Sequence, residues 1–168
     1  MTAIREGALE FQFVSSCQAS KYDDWSHYRN QFQPMAGGCK AVDFICVEGD
    51  VCWLIEVKDH RRHARTKAIE IADEIAIKVR DSLAGLASAA KNANEAQERK
   101  LARKAIVNKR WRVVLHLEQY PRPHRLWPAP IDTAKLLQKL KTKIKAVDAH
   151  PIICDRNSCN GRVPWSVR

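Results

Sequence analysis

Two acids and an amine, Asp43, Glu56 and Lys58, are spaced so that one tight turn brings them together. They lie in residues 40–59, Lys-Ala-Val-Asp-Phe-Ile-Cys-Val-Glu-Gly-Asp-Val-Cys-Trp-Leu-Ile-Glu-Val-Lys-Asp, where apolar and β-branched runs flank Gly49-Asp50. That pattern reads as a β-hairpin, and glycine in the first central position suits a two-residue type II′ turn. With Glu48 facing Val51, the register sets Asp43 opposite Glu56 and Ala41 opposite Lys58. Directly opposed residues have Cβ atoms ~5 Å apart, and period-two alternation puts Glu56 and Lys58 on the face of Asp43.

The rest of that face carries Ile45, Val47, Cys52 and Leu54, and the opposite face carries Val42, Phe44, Cys46, Trp53, Ile55 and Val57. Both sides are apolar, so the hairpin belongs inside a sheet covered on both faces. Two carboxylates buried so close together repel and need a compensating cation. A hard divalent ion meets that need, because Mg²⁺ takes one or two carboxylates, keeps several waters and accepts substrate phosphate. An adjacent lysine can orient the attacking water or neutralise charge developing on a phosphate. The competing reading is a strand pair whose edge charges face solvent.

Asp43, then twelve residues, then Glu56-Val57-Lys58 on the second strand of a hairpin resembles the PD-(D/E)XK, or restriction-endonuclease-like, nuclease superfamily. The resemblance implies that Asp43 and Glu56 bind Mg²⁺, with Mn²⁺ as a substitute, that Val57 lends a backbone carbonyl, and that Lys58 assists the water. Val42 stands where the named proline would be. An acidic residue from an N-terminal element often completes such sites; Glu10 and Glu6 are the candidates, and no motif singles out either. The implied fold is α/β, a three-layer restriction-endonuclease-like core with a mixed central β-sheet flanked by helices. It extends over about residues 8–154, within one domain of residues 1–154 followed by a tail of residues 155–168.

The formal net charge of +10 over 168 residues points to a polyanionic partner, since lysine and arginine gain affinity by releasing counterions from nucleic-acid phosphates. No apolar run reaches the ~20 residues that span a bilayer, and residues 1–6 lack a signal peptide's apolar core. A cytoplasmic location with reduced thiols is the expectation. Six cysteines include no C-x-x-C pair. Cys154-x4-Cys159, preceded by His150, is either part of a zinc site or a pair of core and loop thiols.

The elements around the hairpin follow from periodicity. Residues 8–14 alternate as a strand that could pair with the hairpin, with Leu9, Phe11 and Phe13 on one side and Glu10 and Gln12 on the other. Residues 20–32 space Tyr22, Trp25, Tyr28 and Phe32 at roughly helical intervals, for the core or for stacking on bases. Arg61, Arg62, Arg65 and Lys67 lead directly from Lys58, where phosphates approaching a metal would meet them. Thr66 is a reasonable N-cap for a long helix to about residue 90, with a buried stripe of Ile69, Ala72, Ala76, Val79, Leu83 and Leu86 and with Glu70, Asp73, Glu74, Lys78 and Asp81 mostly outside. A second helix over residues 95–106 leads to a strand over residues 111–118, parallel to the Glu56 strand. There His116 and Glu118 line the site, support it from behind or sit at an edge. A proline-rich loop at residues 120–130 precedes a helix capped by Asp132, then a short strand at residues 151–154. The tail docks through Trp165 or stays mobile.

These readings lead to the expectation of a Mg²⁺-dependent nuclease that hydrolyses DNA phosphodiesters, in restriction, repair or genome defence. The alternatives are a non-catalytic nucleic-acid-binding or assembly subunit with the same fold, and a nuclease acting on RNA. Specificity is expected from DNA shape, a homodimer or a partner protein.

Overall fold

The computed structural model describes residues 1–63, 65–120 and 129–168. In order, the elements are β1 (Thr2–Glu6), β2 (Leu9–Phe13), β3 (Gln18–Lys21), β4 (Phe44–Glu48), β5 (Val51–Asp59), α1 (Ile71–Asn92), α2 (Ala96–Val107), β6 (Arg110–Glu118), α3 (Thr133–Ile144), β7 (Ile152–Cys154) and β8 (Trp165–Val167). The proline-rich segment read as a loop falls mainly on residues 121–128, outside the described residues.

The hairpin of β4 and β5 forms in the expected register, with Glu48 facing Val51 and Phe44 facing Ile55. Gly49 takes a φ of 53° while Asp50 stays at negative φ, the combination of a II′ turn. A five-stranded sheet runs β3-β4-β5-β6-β7. It is mixed: β3, β4 and β5 are antiparallel neighbours, while β6 is parallel to β5 and to β7. The crossover from β5 to β6 carries α1 and α2, as a parallel connection requires.

The two faces of this sheet build two cores. Ile45, Val47, Cys52 and Leu54 join Val113, Leu115 and Leu117 of β6 against α1, α2 and α3. Phe44, Cys46, Trp53, Ile55 and Val57 join Val114 against Leu9, Phe11, Phe13, Trp165 and Val167. The α/β class with a mixed sheet and flanking helices is therefore as expected. The cover of the second face is not, for β2 pairs with β1 and β8 in a separate antiparallel sheet instead of with the hairpin. The tail enters this sheet through β8. Phe11 and Phe13 are fully buried there, each worth about 1.5–3 kcal/mol of transfer free energy.

Helix α1 begins at Ile71, with Glu70 rather than Thr66 in the cap position. Its buried side carries Ile71, Ile75, Val79, Ser82 and Leu86, and Ile69 lies exposed before it. This face ties the helix to the entry of the hairpin: Asp81 Oδ2 accepts the Lys40 N–H at 2.8 Å and Ser82 Oγ accepts the Val42 N–H at 2.9 Å. Residues 20–32 form short turns, not one helix, and Tyr22, Trp25, Tyr28 and Phe32 are all buried. These rings are core packing and are not placed to stack on bases.

Candidate functional site

Asp43, Glu56 and Lys58 meet on the helix-covered face of the large sheet. Asp43 Oδ2 accepts the Val57 N–H at 2.6 Å, so the carboxylate just before β4 is anchored to the backbone of β5. Glu56 is fully buried. Its Oε1 receives Lys58 Nζ at 2.6 Å and Lys78 Nζ at 2.7 Å, whereas Oε2 has no hydrogen-bond partner among the described residues. Lys78 comes from α1 and also lies 3.7 Å from Asp43 Oδ1. Asp43 and Lys78 line a cavity of about 340 Å³ together with Asp23, Arg29 and Lys40.

Burial, reinforced by the neighbouring Glu56 charge, pushes the Asp43 carboxyl up to about 7, even though Lys78 and the Val57 N–H favour the ionised form. Burial works against the charge of Lys78 too, but Glu56 and Asp43 outweigh it and raise its pKa. The next acid along, Glu74 of α1, is penalised by burial yet pulled down to about 2 by Lys67, Arg65 and Lys58. The compensating cations of these buried carboxylates are therefore lysines and an arginine.

Lys78 is the member expected from sequence on the solvent side of its helix. A signal for its true placement exists: Ile71, Ile75, Lys78 and Ser82 are spaced by four, three and four residues, one helical face. Taking Ile69 as the first buried position turns the stripe away from it.

The basic loop after β5 is mostly engaged within the molecule. Arg61 pairs with Asp59 at 2.6 Å, and Arg65 and Lys67 reach Glu74 at 2.6 and 2.5 Å; Arg62 is exposed. Glu10 lies in β2, in the small sheet, paired with Arg5. Glu6 pairs with Lys21 at 3.0 Å. His116 and Glu118 are on the opposite face of the large sheet from Glu56, so they do not line the Asp43 cluster. They stand instead beside two cysteines. His116, Cys154 and Cys159 place their ligand atoms within 4.8 Å of one another, and the two cysteines form a disulfide. His150, the histidine noted from sequence, is exposed and not part of this group.

The chain is 31% identical over 210 aligned positions to a cysteine–tRNA ligase of Neisseria meningitidis serogroup A / serotype 4A (strain DSM 15465 / Z2491). It resembles part of a tRNA ligase. The alignment takes in 99% of this chain and 30% of the ligase, so the chain spans about a third of that relative's length. No family model matches, and no solved structure matches significantly. This similarity overturns the resemblance to PD-(D/E)XK nucleases drawn from the Asp43…Glu56-Val57-Lys58 spacing. The expected Mg²⁺-dependent hydrolysis of DNA falls with that resemblance. The physical step that misled is specific: two close buried carboxylates do require positive charge, and here Lys58 and Lys78 provide it. Mg²⁺ or Mn²⁺ at this point is not supported; the described residues that resemble a metal-binding group are His116, Cys154 and Cys159.

Proposed function

We propose that this chain is a tRNA-contacting module of a tRNA ligase-related protein. The observation that carries the reading is the similarity to a cysteine–tRNA ligase, which runs through nearly the whole chain and through only a fraction of the ligase. A relative whose name states that it joins cysteine to tRNA makes tRNA the first polyanion to consider for a chain of net charge +10.

The distribution of charge supports the same reading. Three acids of the cap and first turn of α1, Glu70, Asp73 and Glu74, are met by five cations: Lys58, Arg65, Lys67, Lys139 and Lys143. The acids suit the positive end of the helix, and the cations gather the loop after β5 and the outer face of α3 around one point. Arg62, Lys141 and Lys145 are exposed nearby in sequence to this network and make no ion pair among the described residues. These three are proposed to contact phosphates, with Arg65 and Lys67 tied into the same network through Glu74. Phosphate contacts of this kind position a nucleic acid without reading its sequence.

The test is a binding titration of the purified chain against a tRNA specific for cysteine, a tRNA specific for another amino acid, and duplex DNA of matched charge. Saturable binding of tRNA about tenfold or more tighter than DNA at 0.15 M salt is expected, since charge alone would not separate the two. Equal affinity for all three, or none, would reject a tRNA-directed role.

A further inference from the structure

We propose that His116, Cys154 and Cys159 form a thiolate–imidazole site for Zn²⁺, available when the two cysteines are reduced and closed when they are joined as a disulfide. The site lies on the sheet face opposite the Asp43 cluster, and the inference does not depend on the tRNA reading.

The backbone builds the constellation from three directions. His116 of β6 and Cys154 of β7 are register partners in the parallel pair. From Cys154 the chain turns through residues 155–158, and the Asp155 carboxylate fixes that turn by accepting the N–H groups of Asn157 and Ser158 and the Ser158 hydroxyl. The Cys159 N–H donates to the Asp155 carbonyl oxygen at 2.9 Å, which returns the second sulfur to the first. Cys159 Sγ then lies 3.5 Å from His116 Nδ1. His116 and Cys159 are fully buried, and Cys154 is nearly so.

An independent feature points to a ligand. The other ring nitrogen of His116, Nε2, is 3.0 Å from Glu118 Oε1. Glu118 is itself buried and is held by the Arg156 N–H at 2.8 Å. A buried carboxylate on the far nitrogen fixes the tautomer that leaves Nδ1 free to bind an ion, the arrangement that metal-bound histidines almost always show. A disulfide bracing a short turn requires neither the histidine nor the carboxylate. Two sulfurs and one imidazole favour Zn²⁺ over Mg²⁺. A cavity of about 380 Å³ lined by Cys154, Glu118, Asp155 and Arg156 adjoins the group and offers the ion a route in.

The chemistry balances. Two equivalents of a small thiol exchange with the Cys154–Cys159 bond, which breaks to give two cysteine thiols while the small thiol leaves as its own disulfide. Zn²⁺ then binds with release of the two thiol protons. In the reverse exchange a small-molecule disulfide is reduced to two thiols, taking up two protons, as the Cys154–Cys159 bond re-forms; this removes two of the three protein ligands and releases the ion.

The experiment uses the full chain, reduced and oxidised, with Zn²⁺ alone and with Co²⁺ as a spectroscopic probe. The reduced protein should take up one equivalent of Zn²⁺, show a thiolate-to-cobalt charge-transfer band, and have Cys154 and Cys159 protected from alkylation by the ion; the oxidised protein should bind none. The alkylation arm needs no substitution, so it stands even where a variant fails to fold. Glu118→Gln should keep the site but weaken Zn²⁺ binding about 10- to 100-fold. Equal alkylation of Cys154 and Cys159 with and without Zn²⁺, or undiminished uptake by a Cys154→Ser/Cys159→Ser variant, would overturn the assignment.

Discussion

Lys78 reaches out of α1 to place its ammonium 2.7 Å from Glu56 Oε1, at the fully buried end of a β-strand side chain twenty-two residues away. This contact decides the character of the cluster, because it brings the positive charge that two neighbouring carboxylates demand. Replacing Lys78 by methionine keeps the aliphatic stem and removes that charge. Breaking a buried pair from one side costs about 3–5 kcal/mol, and that loss is expected in urea unfolding of Lys78→Met. Adding Glu56→Gln should restore more than half of it, since the uncompensated acid is then gone. Unfolding midpoints of Lys78→Met within error of the parent would show that Lys58 alone suffices.

Asp43 and Glu74 give pH dependences of opposite sign. The Asp43 carboxyl is raised from 3.8 to about 7, so between about pH 4 and 7 the folded chain holds a proton that the unfolded chain has released. Its contribution is fully present below about pH 4 and is lost as pH rises through 7. Asp43→Asn still offers the Val57 N–H an acceptor and does not ionise. The variant should match the parent near pH 4 and exceed its stability by on the order of 4 kcal/mol above pH 7. Glu74 is lowered from 4.5 to about 2, so it stabilises the fold above its unfolded value and loses that contribution as pH falls through 2. Glu74→Gln should therefore lower stability at neutral pH and make little difference near pH 2. Parallel profiles for Asp43→Asn and the parent would refute the first sign.

The sequence is legible where a local rule and the tertiary structure agree. Gly49-Asp50 between two apolar runs sets both the turn and the register of β4 and β5, and Asp132 caps α3 by accepting the Ala134 and Lys135 N–H groups. It is less legible where tertiary pairing chooses the partner. Nothing local in Leu9–Phe13 distinguishes pairing with the hairpin from pairing with β1 and β8, and Trp165 is legible as an anchor but not as a strand residue. For the site, the meeting of Asp43, Glu56 and Lys58 is visible in the hairpin, but Lys78 depends on the rotation of α1. The approach of Cys154 and Cys159 to His116 depends on the order of β6 and β7. The nuclease resemblance fails for a related reason. It takes a demand for positive charge as a demand for metal.

Gly85 faces the buried aromatic cluster at the closest approach of α1. A Cβ built there would meet Tyr22 Oη at 2.2 Å and the Phe32 ring at 3.1 Å, and both side chains are too buried to swing away. Helix propensity alone favours Gly85→Ala by about 1 kcal/mol, whereas overpacking costs about 1–3 kcal/mol. Packing should win, with a lower melting temperature for Gly85→Ala. Adding Tyr22→Phe removes the clashing hydroxyl and should recover part of the loss. A melting temperature for Gly85→Ala above that of the parent would mean that Tyr22 has room to move.

Arg62, Lys141 and Lys145 differ from Lys139 and Lys143 in one respect that binding can read. The last two are neutralised by Glu70 and Asp73, so the free chain has already matched their charge. If tRNA docks on this surface, removing the three unpaired cations together should reduce the steepness of log affinity against log salt. The reduction is about 0.7–0.9 for each phosphate that is no longer neutralised, or about two to three in slope for all three. Lys139→Ala/Lys143→Ala should change the slope less, because each substitution also frees an acid that was being held. Titrations of tRNA at four or five salt concentrations separate the two sets. A slope that stays the same when Arg62, Lys141 and Lys145 are all replaced by alanine would place the phosphate-binding surface elsewhere on the chain, with α2 and its exposed Lys100 the next face to test.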